Sequence, residues 1–277
     1  MEIDPYLERI GYSGSRSPTV ETLRQLHRAH VLSVPFEDLD IHLGYPIDLS
    51  LPSFYDKIVK RRRGGFCYEL NGLFGWLLAQ LGFKVVTLSG RFYRSASVEG
   101  RPDDVGPEFD HILLLIELEE QLIADVGFGD SFLEPLWLDS GRENVQHGKS
   151  YRFTDSDVGK VVQRKHKSDW EPMYIFSLTP RRLAEFSAAC HYQQTAPETF
   201  FMQHAVCSLA TTNGRITLLD NRLIMTTGEQ REKQTIESEE EYRTLLKTHF
   251  GVELGEDEQV DRLMVPRPSS IFIDQIF

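Results

Sequence analysis

The sequence predicts an α+β protein. Three observations carry that reading. Apolar residues recur at helical spacing through the first third; the pattern changes to short apolar runs from Phe83 onward; and helices and strands do not alternate as in a βαβ chain.

The elements follow in order. Ser17-Pro18-Thr19 is a helix start signal, and Leu23, Leu26 and His30 follow it at helical spacing, so a helix is predicted over 19–30. A second, short helix is predicted over 53–62, with Phe54, Ile58 and Val59 on one side. A third is predicted over 67–81, with Leu70, Phe74, Leu77, Leu78 and Leu81 as its stripe and Gly82 as its stop. Strands are predicted at 83–88 and 90–93. HILLLIELEEQLIADVGFG then holds two apolar runs about a polar Glu119-Glu120-Gln121 turn, which is a β-hairpin signal. Further strands are expected at 151–153, 160–165, 172–178, 216–219 and 222–227, and a helix at 180–189. The stretch 238–250 reads as a helix with Ser238 as cap, Glu241 in the capping-box position, and Tyr242, Leu245, Leu246 and Phe250 as its stripe.

Composition narrows the function. A chain of 277 residues has room for more than one domain. With 40% hydrophobic and 26% charged residues it is an ordinary soluble composition. No apolar run approaches the ~20 residues that span a bilayer. The start, MEIDPYLERIGY, lacks the basic and apolar regions of a signal peptide, so a cytoplasmic location is expected. A net charge of −12 argues against nucleic acid and anionic membranes as partners. The three cysteines are too few for a disulfide framework, and no spacing fits a zinc site.

One stretch concentrates unusual chemistry: RRRGGFCYELN, residues 61–71. A turn at Gly64-Gly65 delivers Cys67 into the first turn of a helix, where unpaired N–H groups and the helix dipole favour a thiolate. The three arginines add positive potential. Cys190 and Cys207 lack such a context and read as buried small hydrophobes. A cysteine nucleophile needs a base, and the base needs an orienting group. His27, His30 and His42 fall on or near the first helix and suit surface or capping roles. His111 opens the apolar strand HILLLIEL, and Asp125 closes the return strand amid apolar residues, where an unpartnered carboxylate is costly. Folding the hairpin makes the two neighbours. They are either a structural pair or the back two members of a Cys–His–Asp triad, and spacing alone leaves both open.

These motifs carry a resemblance. RRRGGFCYELN, DHILLL and ADVGFGD occur in order after HVLSVPFEDLD and before WEPMYIFSL and TAPETFF. Together they resemble the arylamine N-acetyltransferase family over nearly the whole chain. The resemblance implies an N-terminal helical bundle over 1–83 carrying the nucleophile, a β-rich, barrel-like domain over 84–190 carrying histidine and aspartate, and a C-terminal α/β lid over 191–277, built round a protease-like Cys-His-Asp core. It implies that Cys67, His111 and Asp125 form the catalytic triad, with Cys67 resting largely as a thiolate beside a His111 imidazolium. It also implies ping-pong transfer of an acetyl group from acetyl-CoA, through an acetyl-cysteine, to the nitrogen or oxygen of arylamines, arylhydrazines or N-hydroxyarylamines. The partners implied are CoA and a small-molecule acceptor, with no metal and with a monomer or weak homo-oligomer.

The resemblance also assigns supporting residues. Phe36, Phe92, Phe128 and Phe201 match positions that line the acceptor pocket, and the bulk of Phe92 implies a narrow one. Gly127 and Gly129 permit close backbone approach, and their amides are candidates for the pyrophosphate or pantetheine arm of CoA; a glycine turn closing the strand fits the same residues. Thr211 and Thr212 are candidate CoA contacts in the lid. Glu37 and Arg63 match a buried charged pair. Three features depart from the family pattern. Asp38 stands where asparagine is usual, Pro107-Glu108-Phe109-Asp110 replaces a smaller stretch, and Thr199 replaces serine. Two other functions are compatible with the same core: an amide synthase fed by a carrier protein, and a binding domain without catalysis. A cysteine protease or transglutaminase fits less well, because the sequence around Cys67 lacks the usual protease context.

Overall fold

The computed structural model describes residues 1–93 and 105–266. Its first third is helical. Ile3–Arg9, Val20–Val31, Leu39–Leu43, Leu51–Tyr55 and Cys67–Gln80 are α-helices. Thr19 caps the second, its hydroxyl accepting the Thr22 N–H at 3.2 Å. The short helix at Leu51–Tyr55 starts two residues earlier than expected, because the Ser50 hydroxyl caps it, and it widens into a π-turn over Asp56–Lys60. Gly82 stops the long helix with φ +87°.

Two antiparallel sheets follow. The larger has eight strands, in spatial order Leu136–Trp137, Gln121–Ala124, His111–Glu117, Lys84–Phe92, Asp169–Phe176, Gly159–His166, Lys149–Ser156 and Asn144–Gln146, and it curls into a barrel-like form. The two strands expected around 83–93 are one, Lys84–Phe92, and Gln121 opens a strand rather than closing the turn. The smaller sheet has five strands, Phe36–Glu37, Val206–Thr211, Gly214–Leu219, Arg222–Thr227 and Gln230–Thr235. The expected helix at 180–189 begins later. Leu183–Phe186 is a single 3₁₀ turn and Ser187–Thr195 an α-helix, so the division after residue 190 falls inside a helix. The last α-helix, Glu239–Leu245, is capped by Ser238, whose hydroxyl accepts the Glu241 N–H at 3.2 Å. No described helix is long and apolar enough to cross a membrane.

Packing locks these parts together. Phe54, Phe74, Leu77 and Leu78 of the helices are fully buried in one core with Ile112, Leu114 and Ile116 of the sheet. Each such side chain contributes about 1.5–3 kcal/mol of burial. Gly75 permits a close approach there. A Cβ on it would stand 3.2 Å from Leu114 Cδ2, so glycine sets the approach of helix to sheet. Phe36–Glu37, from the helical third, forms the edge of the five-stranded sheet by pairing with Cys207 and Ser208. The lid is thereby continuous with the N-terminal part.

Candidate active site

The site is assembled by the helix Cys67–Gln80, the strand His111–Glu117 and the chain just after Gln121–Ala124. Cys67 is the first helical residue, and Phe66 before it is extended (φ −91°, ψ −175°). The Glu69 carboxylate accepts the Phe66 N–H at 3.1 Å and fixes this helix start. The glycines ahead of it serve proximity rather than a left-handed turn. A Cβ on Gly64 would lie 2.1 Å from the Pro35 carbonyl oxygen, and one on Gly65 would lie 2.8 Å from Glu69 Cβ. The left-handed residue is Arg62, with φ +53°.

The arginines do not serve the cysteine. Arg61 and Arg62 are exposed, and Arg61 faces Asp56. Arg63 is buried and forks onto Glu37, with Nε 3.0 Å from Oε1 and Nη2 3.1 Å from Oε2, and it also reaches Asp40 Oδ1 at 2.8 Å. The expected pair is a larger network. Lys57 Nζ, also buried, sits 2.9 Å from Asp40, 3.1 Å from Glu69 and 3.8 Å from Glu37. Burial pulls the Lys57 ammonium down, but its three carboxylates outweigh that and hold it above its ordinary value. Glu69 goes the other way. Burial, with Glu37 and Asp40 nearby, raises its carboxyl to about 7 against the pull of Lys57. With two cations and three carboxylates, one proton on Glu69 leaves the network neutral.

His111 and Asp125 meet as the hairpin predicts. His111 Nε2 lies 2.8 Å from Asp125 Oδ2, and both side chains are fully buried. Burial opposes the Asp125 carboxylate, but His111, Asn71 and the Gly127 N–H together hold its carboxyl below the usual range. The donation from Nε2 leaves Nδ1 of His111 as the lone-pair nitrogen. Nδ1 has no hydrogen-bond partner among the described residues. Cys67 is close by. The Ile112 N–H, one residue beyond His111, faces its sulfur. No described hydrogen bond joins that sulfur to His111. Burial pushes the Cys67 thiol well above its ordinary value, Asp110, Cys190 and Asp125 push it further, and the Ile112 N–H opposes them. These influences weigh against the expectation of a resting thiolate, with desolvation the largest of them.

Asn71 and Tyr174 carried no assigned role in the sequence, and His27 and His30 were expected in surface or capping roles. Asn71 donates from Nδ2 to Asp125 Oδ1 at 2.8 Å and to the Ile112 carbonyl at 2.7 Å. His27 is fully buried rather than on the surface; its Nδ1–H donates to the Leu133 carbonyl at 2.9 Å and its Nε2 accepts the Asp125 N–H at 3.2 Å. Burial holds His27 neutral, with its pKa down at about 4. His30 is fully buried as well, against Phe74. Tyr174 packs tilted against His111, with the ring centroids 5.2 Å apart. The signal for His27 and His30 was the stripe they share with Leu23 and Leu26.

The four phenylalanines divide. Phe92 and Phe128 lie 5.1 and 5.8 Å from His111 and 5.6 Å from each other, so they wall the imidazole. Phe36 and Phe201 pair 6.0 Å apart, and Phe201 meets Phe66 at 5.8 Å. Gly127 crosses the Cys67 helix so closely that a Cβ would be 2.9 Å from Cys67 Cα, and its N–H is taken by Asp125 Oδ1 at 3.0 Å. Gly129, with φ +88°, lines an open cleft. Thr211 and Thr212 sit at the tip of the Val206–Thr211/Gly214–Leu219 hairpin. The acidic stretch is not aimed at open solvent as a whole. Glu108 faces Arg181 at 3.4 Å, and the buried Asp110 accepts from Gln193 Nε2. Asp38 is buried away from the cleft, its Oδ1 accepting the Val206 N–H at 2.7 Å.

Comparison with known proteins decides the family. The family model described as N-acetyltransferase matches residues 19–259. The chain belongs to the arylamine N-acetyltransferase family. It is 33% identical over 262 residues to the arylamine N-acetyltransferase of Mycolicibacterium smegmatis, covering 92% of this chain and 94% of that one. It is 36% identical over 235 residues to the pineal gland isozyme NAT-3 of Gallus gallus, covering 77% and 79%. The structure of the Mycobacterium marinum arylamine N-acetyltransferase in complex with CoA superposes with TM-score 0.85 at 31% identity, covering 95% of this chain and 97% of that one. As a member of the arylamine N-acetyltransferase family, the chain is an acyltransferase.

Proposed function

We propose that Cys67, His111 and Asp125 are the catalytic triad of an acetyl-CoA-dependent arylamine N-acetyltransferase, and that acetyl transfer runs through Cys67. The observation that carries this reading is the buried His111–Asp125 pair, 2.8 Å apart, beside the first residue of the Cys67 helix. Nδ1 of His111 takes the thiol proton as Sγ attacks the thioester carbonyl. The Cys67 N–H, one of those a helix start leaves without an intrahelical acceptor, holds the oxyanion. The carbon–sulfur bond to CoA breaks, and the imidazolium returns its proton to the leaving CoA sulfur. An arylamine or arylhydrazine nitrogen then attacks the acetyl-cysteine, His111 accepts its proton, and the Cys67 thiol is restored. Phe92, Phe128 and Tyr174 give the acceptor an apolar, aromatic wall next to the imidazole. Phe36 and Phe201 extend that wall toward the lid.

Mass spectrometry after mixing with acetyl-CoA tests the reading. A ~42 Da adduct on Cys67 that an aromatic amine or hydrazine removes is expected. A normal burst of free CoA from Cys67→Ala would overturn it.

A further inference from the structure

His27 has no task in the proton transfers, yet it touches each part that frames the proposed triad. It lies on the helix Val20–Val31 and is fully buried. Its ring stacks on Phe132, with centroids 5.7 Å apart and planes 15° from parallel. It also meets Phe74 of the Cys67 helix edge-on, at 6.0 Å. Two hydrogen bonds fix the ring further. Nε2 takes the Asp125 N–H at 3.2 Å, and Nδ1 meets the Leu133 carbonyl at 2.9 Å.

Backbone pairing explains why a side chain is needed here. The ladder between Gln121–Ala124 and His111–Glu117 ends with Ala124 opposite Leu114, so the Asp125 N–H lies one residue past it. A buried N–H beyond a ladder needs an acceptor from elsewhere, and the helix supplies one. Leu133 is the other end. Residues 126–132 run between the two contacts and carry Phe128, whose ring is 5.8 Å from His111, and Gly129, with φ +88°. His27 therefore closes the base of this loop like a clasp.

The two partners also decide the protonation state. An N–H only donates and a carbonyl oxygen only accepts, so both bonds are made at once only by a neutral imidazole with its proton on Nδ1. The charges around the ring are those of Asp125 and Glu134, and His30 stands one turn along the same helix. Burial outweighs the upward pull of the Leu133 carbonyl and the two carboxylates and holds His27 down at about 4, so the required form persists at neutral pH.

We propose that His27 is a positioning residue for the acetyl transfer: as the Nδ1–H tautomer it fixes the backbone of Asp125, and through Asp125 the orientation of the His111 imidazole, while it holds the loop that carries Phe128. The inference rests on the triad reading above.

Nitrogen-15 NMR of the histidine-labelled wild-type protein reads the clasp without any variant or substrate. His27, assigned through its ring-to-backbone correlations, is expected as the Nδ1–H tautomer, neutral from about pH 8 down to about pH 5. An Nε2–H tautomer, or titration within that range, would overturn the inference. His27→Phe keeps a ring for Phe132 and Phe74 and loses both hydrogen bonds. Its kcat with acetyl-CoA is expected to fall about 30-fold, with KM for the acceptor changed less than about threefold. His27→Gln, whose amide oxygen can still accept the Asp125 N–H, should keep about a third of the wild-type kcat or more. Alkylation of Cys67 by iodoacetamide, followed by mass spectrometry, should set in at higher pH in His27→Phe than in the wild type or His27→Gln, because a loosened His111 is a weaker base toward the thiol. A folded His27→Phe with wild-type kcat and an unshifted alkylation profile would remove the positioning role, and so would equal losses in the two variants. If wild-type Cys67 takes no acetyl group from acetyl-CoA, the acetyltransferase reading itself has failed, a separate outcome, since the tautomer and the alkylation profile are read without that donor.

Discussion

Asn71, one helical turn beyond Cys67, donates from Nδ2 to Asp125 Oδ1 at 2.8 Å. The same amide donates to the Ile112 carbonyl at 2.7 Å, and its oxygen accepts the Val126 N–H at 2.9 Å. The Cys67 helix, the His111 strand and the chain just after Gln121–Ala124 are therefore tied through one buried side chain. Asn71→Ala is expected to lower kcat/KM about 100-fold and to cost about 1–3 kcal/mol of stability, since it leaves buried groups unpaired. Steady-state kinetics together with urea denaturation check this. A loss of stability with full kcat would remove the positioning role.

Asp125→Asn is expected to keep the fold and lower kcat by about three to four orders of magnitude, because the amide can present its NH₂ to Nε2 and select the wrong tautomer of His111. The substitution also has an acid-stability signature. The folded carboxyl is held below its ordinary value, so its contribution is present above the unfolded pKa, about 3.9, and is lost as pH falls through the lower folded value. Melting curves of the two proteins from neutral pH down to about 3 should converge at the acid end. Parallel curves would contradict the assignment.

What the sequence made legible follows from how local each signal is. The helix start at Cys67 and the meeting of His111 with Asp125 were readable because a helix start and a hairpin are short-range features, whereas their reading as a triad came from the resemblance. The network around Arg63 was readable only as a pair. Lys57 and Asp56 look alike on paper, two charges on a short helix, yet Lys57 points into the core and Asp56 is about half exposed. His27 looked like a surface residue because a polar ring near a helix end is usually exposed, yet it is fully buried, with Phe132 stacked 5.7 Å from it. The strand Phe36–Glu37 went unseen because it is two residues long, too little for a periodic signal, and its partner Val206–Thr211 is about 170 residues away.

Arg63→Ala is expected to destabilise the protein by about 3–5 kcal/mol, because Glu37 and Asp40 would remain buried with only Lys57 to answer them. Activity should fall with the folded fraction. Chemical denaturation at fixed pH measures it, and an unchanged midpoint would show that the network is not held by Arg63. Lys57→Met should be milder below about pH 7, where the carboxyl of Glu69, raised by burial, is already protonated.

Phe92 stands 5.1 Å from the His111 imidazole and 5.6 Å from Phe128, which would narrow the acceptor side of the proposed site. Phe92→Val is expected to raise kcat/KM for two-ring arylamines about tenfold while changing single-ring amines by less than about threefold. A panel of acceptors at saturating acetyl-CoA reads this directly. Equal changes across ring sizes would mean that Phe92 supports His111 without shaping the pocket.

Asp38 offers a test in the opposite pH direction. Its Oδ1 accepts the Val206 N–H at 2.7 Å, its own N–H donates to the Val206 carbonyl at 3.2 Å, and Oδ2 has no hydrogen-bond partner among the described residues. Burial, opposed by the Val206 N–H and reinforced by Glu37 and Asp220, pushes this carboxyl well above its ordinary value. A group raised in the fold contributes stability that is complete below the unfolded pKa, about 3.9, and is lost as pH rises through the folded value. Asparagine keeps the acceptor for Val206 and cannot ionise. Asp38→Asn is therefore expected to match the wild type in melting temperature near pH 4 and to exceed it increasingly at neutral and alkaline pH, with the lid sheet still joined to Phe36–Glu37. If the advantage were instead largest in acid, the carboxyl would be ionised in the fold, and a partner for Oδ2 would have to be found.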